Sequence, residues 1–254
     1  MDVLHGSGVC QDAEADRKPA RTRRTASVVR NRLLVGLSFS TGAVDVICYL
    51  ALGKVFAAFM TGNVVFLGLA AVSSLDSGGS LGPDVGRVVV AMLGFAAGVL
   101  FSAKLVMPLK NGAVEVWPRR VSIALAVVAA AEAAFLILWL AIAGHPSTVV
   151  GDVLIGILAV AMGIQMDAVR SLRVPEISTT AATATIVSFV NQLANRSDSA
   201  DRWLYARIMA AMVVGAVAGG VVLLFAPLYA PIIPVVVTIA VIAFATAALK
   251  PAAR

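Results

Sequence analysis

A succession of apolar runs, each near 20 residues and almost free of charge, constrains this chain more than any other feature. A run of that length crosses the hydrocarbon core of a bilayer as a helix. Inside lipid the backbone satisfies its own N–H and C=O groups only in helices or closed barrels. The runs cover about residues 33–52, 56–75, 87–107, 121–143, 149–169, 206–225 and 232–249, with a shorter hydroxyl-rich run at 178–193. The chain is 60% hydrophobic and 13% charged, against roughly 45–50% and about 25% in soluble domains. The reading is an all-α, polytopic membrane helix bundle.

Charge placement sets the number of crossings. The net charge is +6, but the basic residues gather beside apolar runs, as orientation signals do, and they do not point to nucleic acid. If runs 56–75 and 178–193 return to the side they entered, six spans remain with both termini cytoplasmic. Then 18 of the 20 Lys and Arg fall on the cytoplasmic side, Lys54 and Arg87 being the exceptions. If all eight runs cross, the count falls to 13 of 20. The expectation is therefore six full spans plus two short or half helices, with loops 76–86, 144–150 and 226–231 outside. Residues 1–31 are polar, Arg-rich and aperiodic, and read as a disordered basic cytoplasmic tail. Residues 32–249 form a single transmembrane domain.

The stretch GAVDVICYLALGKVFAAFMTGNVVFLGLA, residues 42–70, recurs in outline further on. A shift of 122 residues carries Asp45 to Asp167, Val55 to Ile177, Thr61 to Thr183 and Val65 to Val187. Each half, about 33–143 and 149–249, thus holds an acid, an interruption and a short hydroxyl-bearing helix. With three crossings per half, the second copy enters from the opposite face. This is a 3+3 inverted repeat, an arrangement that places binding sites near the midplane at broken helices.

Ionisable and polar groups are costly in lipid and mark function or interhelical contact. The candidate solute- or ion-binding residues are Asp45, Thr61, Gly62, Asn63, Gln165, Asp167, Thr180, Thr183 and Thr185, with Glu132, Lys54 and Arg170 secondary. An acid lining an aqueous cavity would take a cation or proton. A half-helix N-terminus would favour an anionic group. The structural alternative stands beside each: Thr61 and Asn63 cap a short helix, Asp167 pairs with Arg170 three residues on, and the hydroxyls join helices. Cys10 and Cys48, the two cysteines, have no metal spacing. Neither metal site, cofactor motif nor catalytic motif is present, so the chain does not read as an enzyme.

The stretch 42–70 resembles the signature of the YoaK-like family of bacterial integral membrane proteins, whose function is unknown. The resemblance rests on Gly42, Asp45, Leu52, Gly53, Phe56, Thr61, Gly62, Asn63 and Gly68, and on Gly163, Gln165, Arg170 and the Thr-rich run to Thr183 in the second half. It covers roughly residues 33–249. Where the family usually reads Thr-Gly-Thr, this chain has Thr183-Ala184-Thr185. The resemblance implies a multi-pass protein of the bacterial inner membrane and brings no substrate. The leading expectation is a small secondary transporter or facilitator for an unknown small solute or ion, with a midplane polar site. The alternatives are a non-transporting membrane scaffold or partner protein whose polar groups only lock helices, and a lipid-directed membrane enzyme. Expected partners are the lipid bilayer and the solute, with a homo-oligomer left open.

Overall fold

The computed structural model describes residues 7–73, 82–106, 116–172, 187, 190–191 and 200–249, with 7–25 and 200–202 as backbone only. The principal helices among them are α1 (Ser7–Ala51), α2 (Met60–Ser73), α3 (Val85–Val106), α4 (Arg119–Ala141), α5 (Thr148–Arg170), α6 (Ala200–Phe225) and α7 (Ile232–Ala248). Five hold segments long and apolar enough to cross a membrane: Ala26–Ala51, Val85–Val106, Arg119–Ala141, Thr148–Arg170 and Trp203–Phe225. Helix α7 has 17 residues, about 26 Å at 1.5 Å per residue. Helix α2 has 14, about 21 Å, well short of a hydrocarbon core of about 30 Å. Helix α1 starts earlier than the expected span, its Ala- and Arg-rich basic segment continuing as helix from Ser7; both residues are strong helix formers.

Helix α1 ends in a left-handed turn. Gly53 has φ 112° and Lys54 φ 64°, and the Lys54 amide donates to the Tyr49 carbonyl at 2.9 Å. This six-to-one closure is how a helix C-terminus satisfies its last carbonyls. Arg87, at the start of α3, completes the cap: its Nη1 donates to the Leu52 carbonyl at 3.1 Å. Its Nε donates to Asp152 Oδ1 at 3.2 Å, forming an ion pair with the start of α5. One guanidinium therefore ties the end of α1 to the beginnings of α3 and α5. The start of α3 therefore lies at the same end of the bundle as the end of α1.

The other long helices alternate in direction around this point. Arg120 at the start of α4 donates to Leu105 O near the end of α3 at 2.9 Å. Trp139 near the end of α4 donates to Pro227 O, in the turn between α6 and α7, at 3.0 Å. Helices α1, α4 and α6 thus run one way, and α3, α5 and α7 the other.

Glycines set the closest approaches. A Cβ on Gly42 would collide with the Met212 carbonyl, and one on Gly215 with the Phe39 carbonyl, where α1 runs alongside α6. Between α5 and α3, a Cβ on Gly163 would collide with the Phe95 carbonyl and one on Gly98 with the Val160 carbonyl. Small residues let backbones meet this closely inside a membrane. Helix α1 also packs on α7, α5 on α4, α4 on α7 and α1 on α5. Exchanging α1, α3 and α4 for α5, α6 and α7 reproduces these pairings. Helices α1 and α5 are central, and the outer face of α6 is bare and apolar at Val213, Val217, Val221 and Leu224, as a lipid-facing surface is.

Candidate functional site

Several of the polar groups inside the bundle lie on α1. Ser38, Ser40, Thr41 and Asp45 are all buried. Ser38 and Thr41 spend their hydroxyl protons on the helix's own carbonyls, Leu34 O at 2.9 Å and Leu37 O at 3.0 Å, a common way to house a hydroxyl in an apolar helix. Asp45 is only 5% exposed. After the α1 turn, the chain doubles back beside the helix by about 9 Å, six residues of helical rise. There the Ala58 amide donates to Asp45 Oδ1 at 2.7 Å, with the amides of Ala57 and Phe59 also close to the carboxylate. The second oxygen, Oδ2, has no hydrogen-bond partner.

Asn63 holds the returning segment in place. Its Nδ2 donates to Phe56 O at 2.7 Å, and its Oδ1 accepts from the Phe56 amide at 3.0 Å. Nδ2 also reaches Met60 Sδ at 3.7 Å. The side chain thereby serves as a backbone-like pairing partner for Phe56, with both of its polar atoms engaged there. Phe56 stacks on Tyr49 and Phe66, with ring centroids 5.1 and 5.7 Å apart, and meets Phe59 edge-on at 5.4 Å. A Cβ on Gly62 would lie 2.5 Å from Phe59 Cδ1 and 3.0 Å from Phe56 Cδ2, so this glycine makes room for the aromatic cluster. Thr61 is exposed and lines no buried site, and Lys54 is exposed in the turn.

A second junction joins α1 to α5. Gln165 is fully buried; its Nε2 donates to Thr41 Oγ1 at 2.9 Å and contacts Leu37 O at 3.5 Å. Its Oε1 has no partner. Asp167 is half-buried with an unpartnered Oδ2, and Arg170 is exposed. Among the described residues Arg87 pairs with Asp152, and Asp167 and Arg170 do not pair with each other. A third polar group lies where α1, α4 and α7 meet: Glu132, 1% exposed, with Ser40 and Thr238 beside it. Thr180, Thr183 and Thr185 lie outside the described residues.

Asp45 and Asp167 are not brought into one symmetric pair. A shift of 121 residues carries Phe39 to Val160 and Gly42 to Gly163 at the tight helix contacts, while 117 carries Phe95 to Met212 and Gly98 to Gly215. In that packing register Asp45 corresponds to Met166, and Asp167 to Val46. One residue on a helix turns a side chain by about 100°. The gap-free shift of 122 matches residue types, whereas glycine–carbonyl contacts fix which faces meet.

The matching family model spans residues 33–245, and its description is "protein of unknown function (DUF1275)". The chain belongs to the DUF1275 family. The UPF0700 transmembrane protein YoaK of Bacillus subtilis (strain 168) is 37% identical to this chain over 172 residues, covering 68% of this chain and 71% of that protein. No solved structure matches. As a member of the DUF1275 family, with apolar helices of spanning length, the chain is a multi-pass membrane protein, in agreement with the YoaK-like resemblance.

Sequence reasoning missed the roles of Ser40, Thr238 and Arg87. Ser40 stands among small and polar residues of the first run. Thr238 is a single hydroxyl in an apolar run, and only the packing of α7 on α4 gives it meaning. Arg87 stood out as a cation on the wrong side of the charge pattern, and that exception was its signal.

Proposed function

We propose that this protein is a small secondary transporter or facilitator of the bacterial inner membrane, crossing six times with both termini cytoplasmic and built as a 3+3 inverted repeat. The substrate would bind along α1, where Asp45 beside residues 57–59 offers a carboxylate and the Thr41–Gln165 pair at the α5 junction a hydroxyl and an amide. The carrying observation is the unpartnered polar atoms Asp45 Oδ2 and Gln165 Oε1, buried on the two central helices. Buried polar atoms are ordinarily paired, and a bound solute would supply the missing partners. In this reading the protein carries out no covalent chemistry. Residues 1–31 remain a basic cytoplasmic tail.

One observation favours a second reading, a membrane scaffold. Asp45 is sealed beneath residues 55–58, and Asn63 is engaged with Phe56 and Met60. The transporter reading takes this as the occluded form. Thermal melting of the purified protein at fixed salt, against a panel of amino acids, carboxylates, sugars and amines, separates the two. A ligand of the native state raises the melting temperature by mass action. The transporter reading expects such a rise for at least one solute class, lost in Asp45→Asn or Gln165→Leu. An unresponsive wild type across the panel supports the scaffold.

A further inference from the structure

We propose that Glu132, Ser40 and Thr238 form a binding site for one monovalent alkali cation of sodium size, distinct from the α1–α5 junction. Glu132 lies midway along α4, Ser40 in the apolar part of α1 and Thr238 in α7. All three are almost completely buried, at 1%, 0% and 0% exposure. The hydroxyls of Ser40 and Thr238 approach the carboxylate closely enough to interact with it. Yet both Glu132 oxygens, Ser40 Oγ and Thr238 Oγ1 are left without a hydrogen bond of good geometry.

Four oxygens from three helices therefore converge without closing on one another. A structural lock would close them, because a buried carboxyl hydrogen-bonded to two hydroxyls satisfies itself, and a buried polar atom left unmade costs about 1–3 kcal/mol. Oxygens arranged around a shared cation need not bond to each other. The charge balance selects the ion. Among the described residues no Lys, Arg or His is buried, and the other buried carboxylate is Asp45, about 7.5 Å further along α1 from Ser40 by helical rise and tied to the Ala58 amide. A single negative charge in low dielectric calls for a single positive one. An oxygen-only ligand set suits a hard ion. No group of three or more His, Cys, Asp or Glu able to hold a metal occurs among the described residues, so one carboxylate and two hydroxyls suit a singly charged ion rather than a divalent one.

The test is thermal melting of the full chain in detergent, exchanging choline chloride for sodium chloride at constant ionic strength, without organic solutes. Wild type should gain roughly 5–10 °C once sodium reaches about 100-fold its dissociation constant. Glu132→Gln, similar in size and uncharged, should lose the rise and melt without sodium at or above the wild-type temperature. Thr238→Val should shift the sodium midpoint to higher concentration, which keeps the test sharp if Glu132→Gln fails to fold. Asp152→Asn, at the bundle end, should keep the rise. A wild type indifferent to sodium, or one responding to pH alone, overturns the proposal, as does a Glu132→Gln protein that keeps the sodium response. None of these outcomes depends on the solute panel, so this site and the transport reading can fail separately.

Discussion

Gly98 and Gly215 each place a helix surface directly against a neighbouring carbonyl, whereas a Cβ on Gly68 would have nothing within 4 Å. Gly98→Val and Gly215→Val should each destabilise the protein by about 1–3 kcal/mol or more, the usual cost of overpacking a filled core. Their effects should be alike, because the two positions make equivalent contacts. Gly68→Ala, in exposed helix, should be neutral or slightly stabilising, by up to about 1 kcal/mol. Melting curves of the three variants check this. Asn63→Leu would leave the Phe56 amide and carbonyl unpaired, and should lower stability by roughly 1–3 kcal/mol for each buried group. Residue identity was legible where cost in lipid singled it out, as with Asp45, Asn63, Gln165 and Glu132. Their roles were not, because sequence spacing cannot say whether Asn63 faces a ligand or Phe56, or that Thr238 lies beside Glu132.

The helix ends are held by Arg87. Arg87→Gln should loosen the α1 cap and lose the Asp152 pair together. Charge-assisted hydrogen bonds are worth about 1.5–3 kcal/mol each, and partial exposure, 24% and 35% for the two side chains, reduces what the ion pair adds. Arg87→Lys should recover little, since one ammonium cannot reproduce a planar fork that reaches Leu52 O and Asp152 at once. The comparison of melting temperatures for Gln and Lys at this position checks it. Most of the long apolar helices were legible from run length alone. The expectation that run 56–75 turns back rests on the charge count, because the run is long enough to cross. The left-handed turn at Gly53 and Lys54 and the segment held by Asn63 explain how residues 55–58 double back beside α1, and α2 beyond them has 14 residues.

At the scale of the molecule, the proposed inverted repeat rests on two sets of helices that exchange into one another. The sequence suggested a duplication by matching Asp45 to Asp167, which the helix contacts set one residue apart. The packing register of 121 residues at α1 and α5 came only from glycine–carbonyl contacts, since an alignment scores residue types and not helix faces. The transport reading requires that the centre of the bundle, closed around Asp45, open to water. Cys48 reports on this directly: it is fully buried on α1, one turn from Asp45, and Cys10→Ser leaves it as the sole thiol of the chain. The decisive measurement is the rate at which N-ethylmaleimide alkylates Cys48 in Cys10→Ser protein reconstituted in liposomes, well below its melting temperature, with denaturation in detergent giving full labelling. The account predicts slow, progressive labelling under native conditions, at a rate that changes with a stabilising solute. A Cys48 that stays unlabelled until the protein is denatured would contradict it and leave the polar centre as a permanent lock between helices.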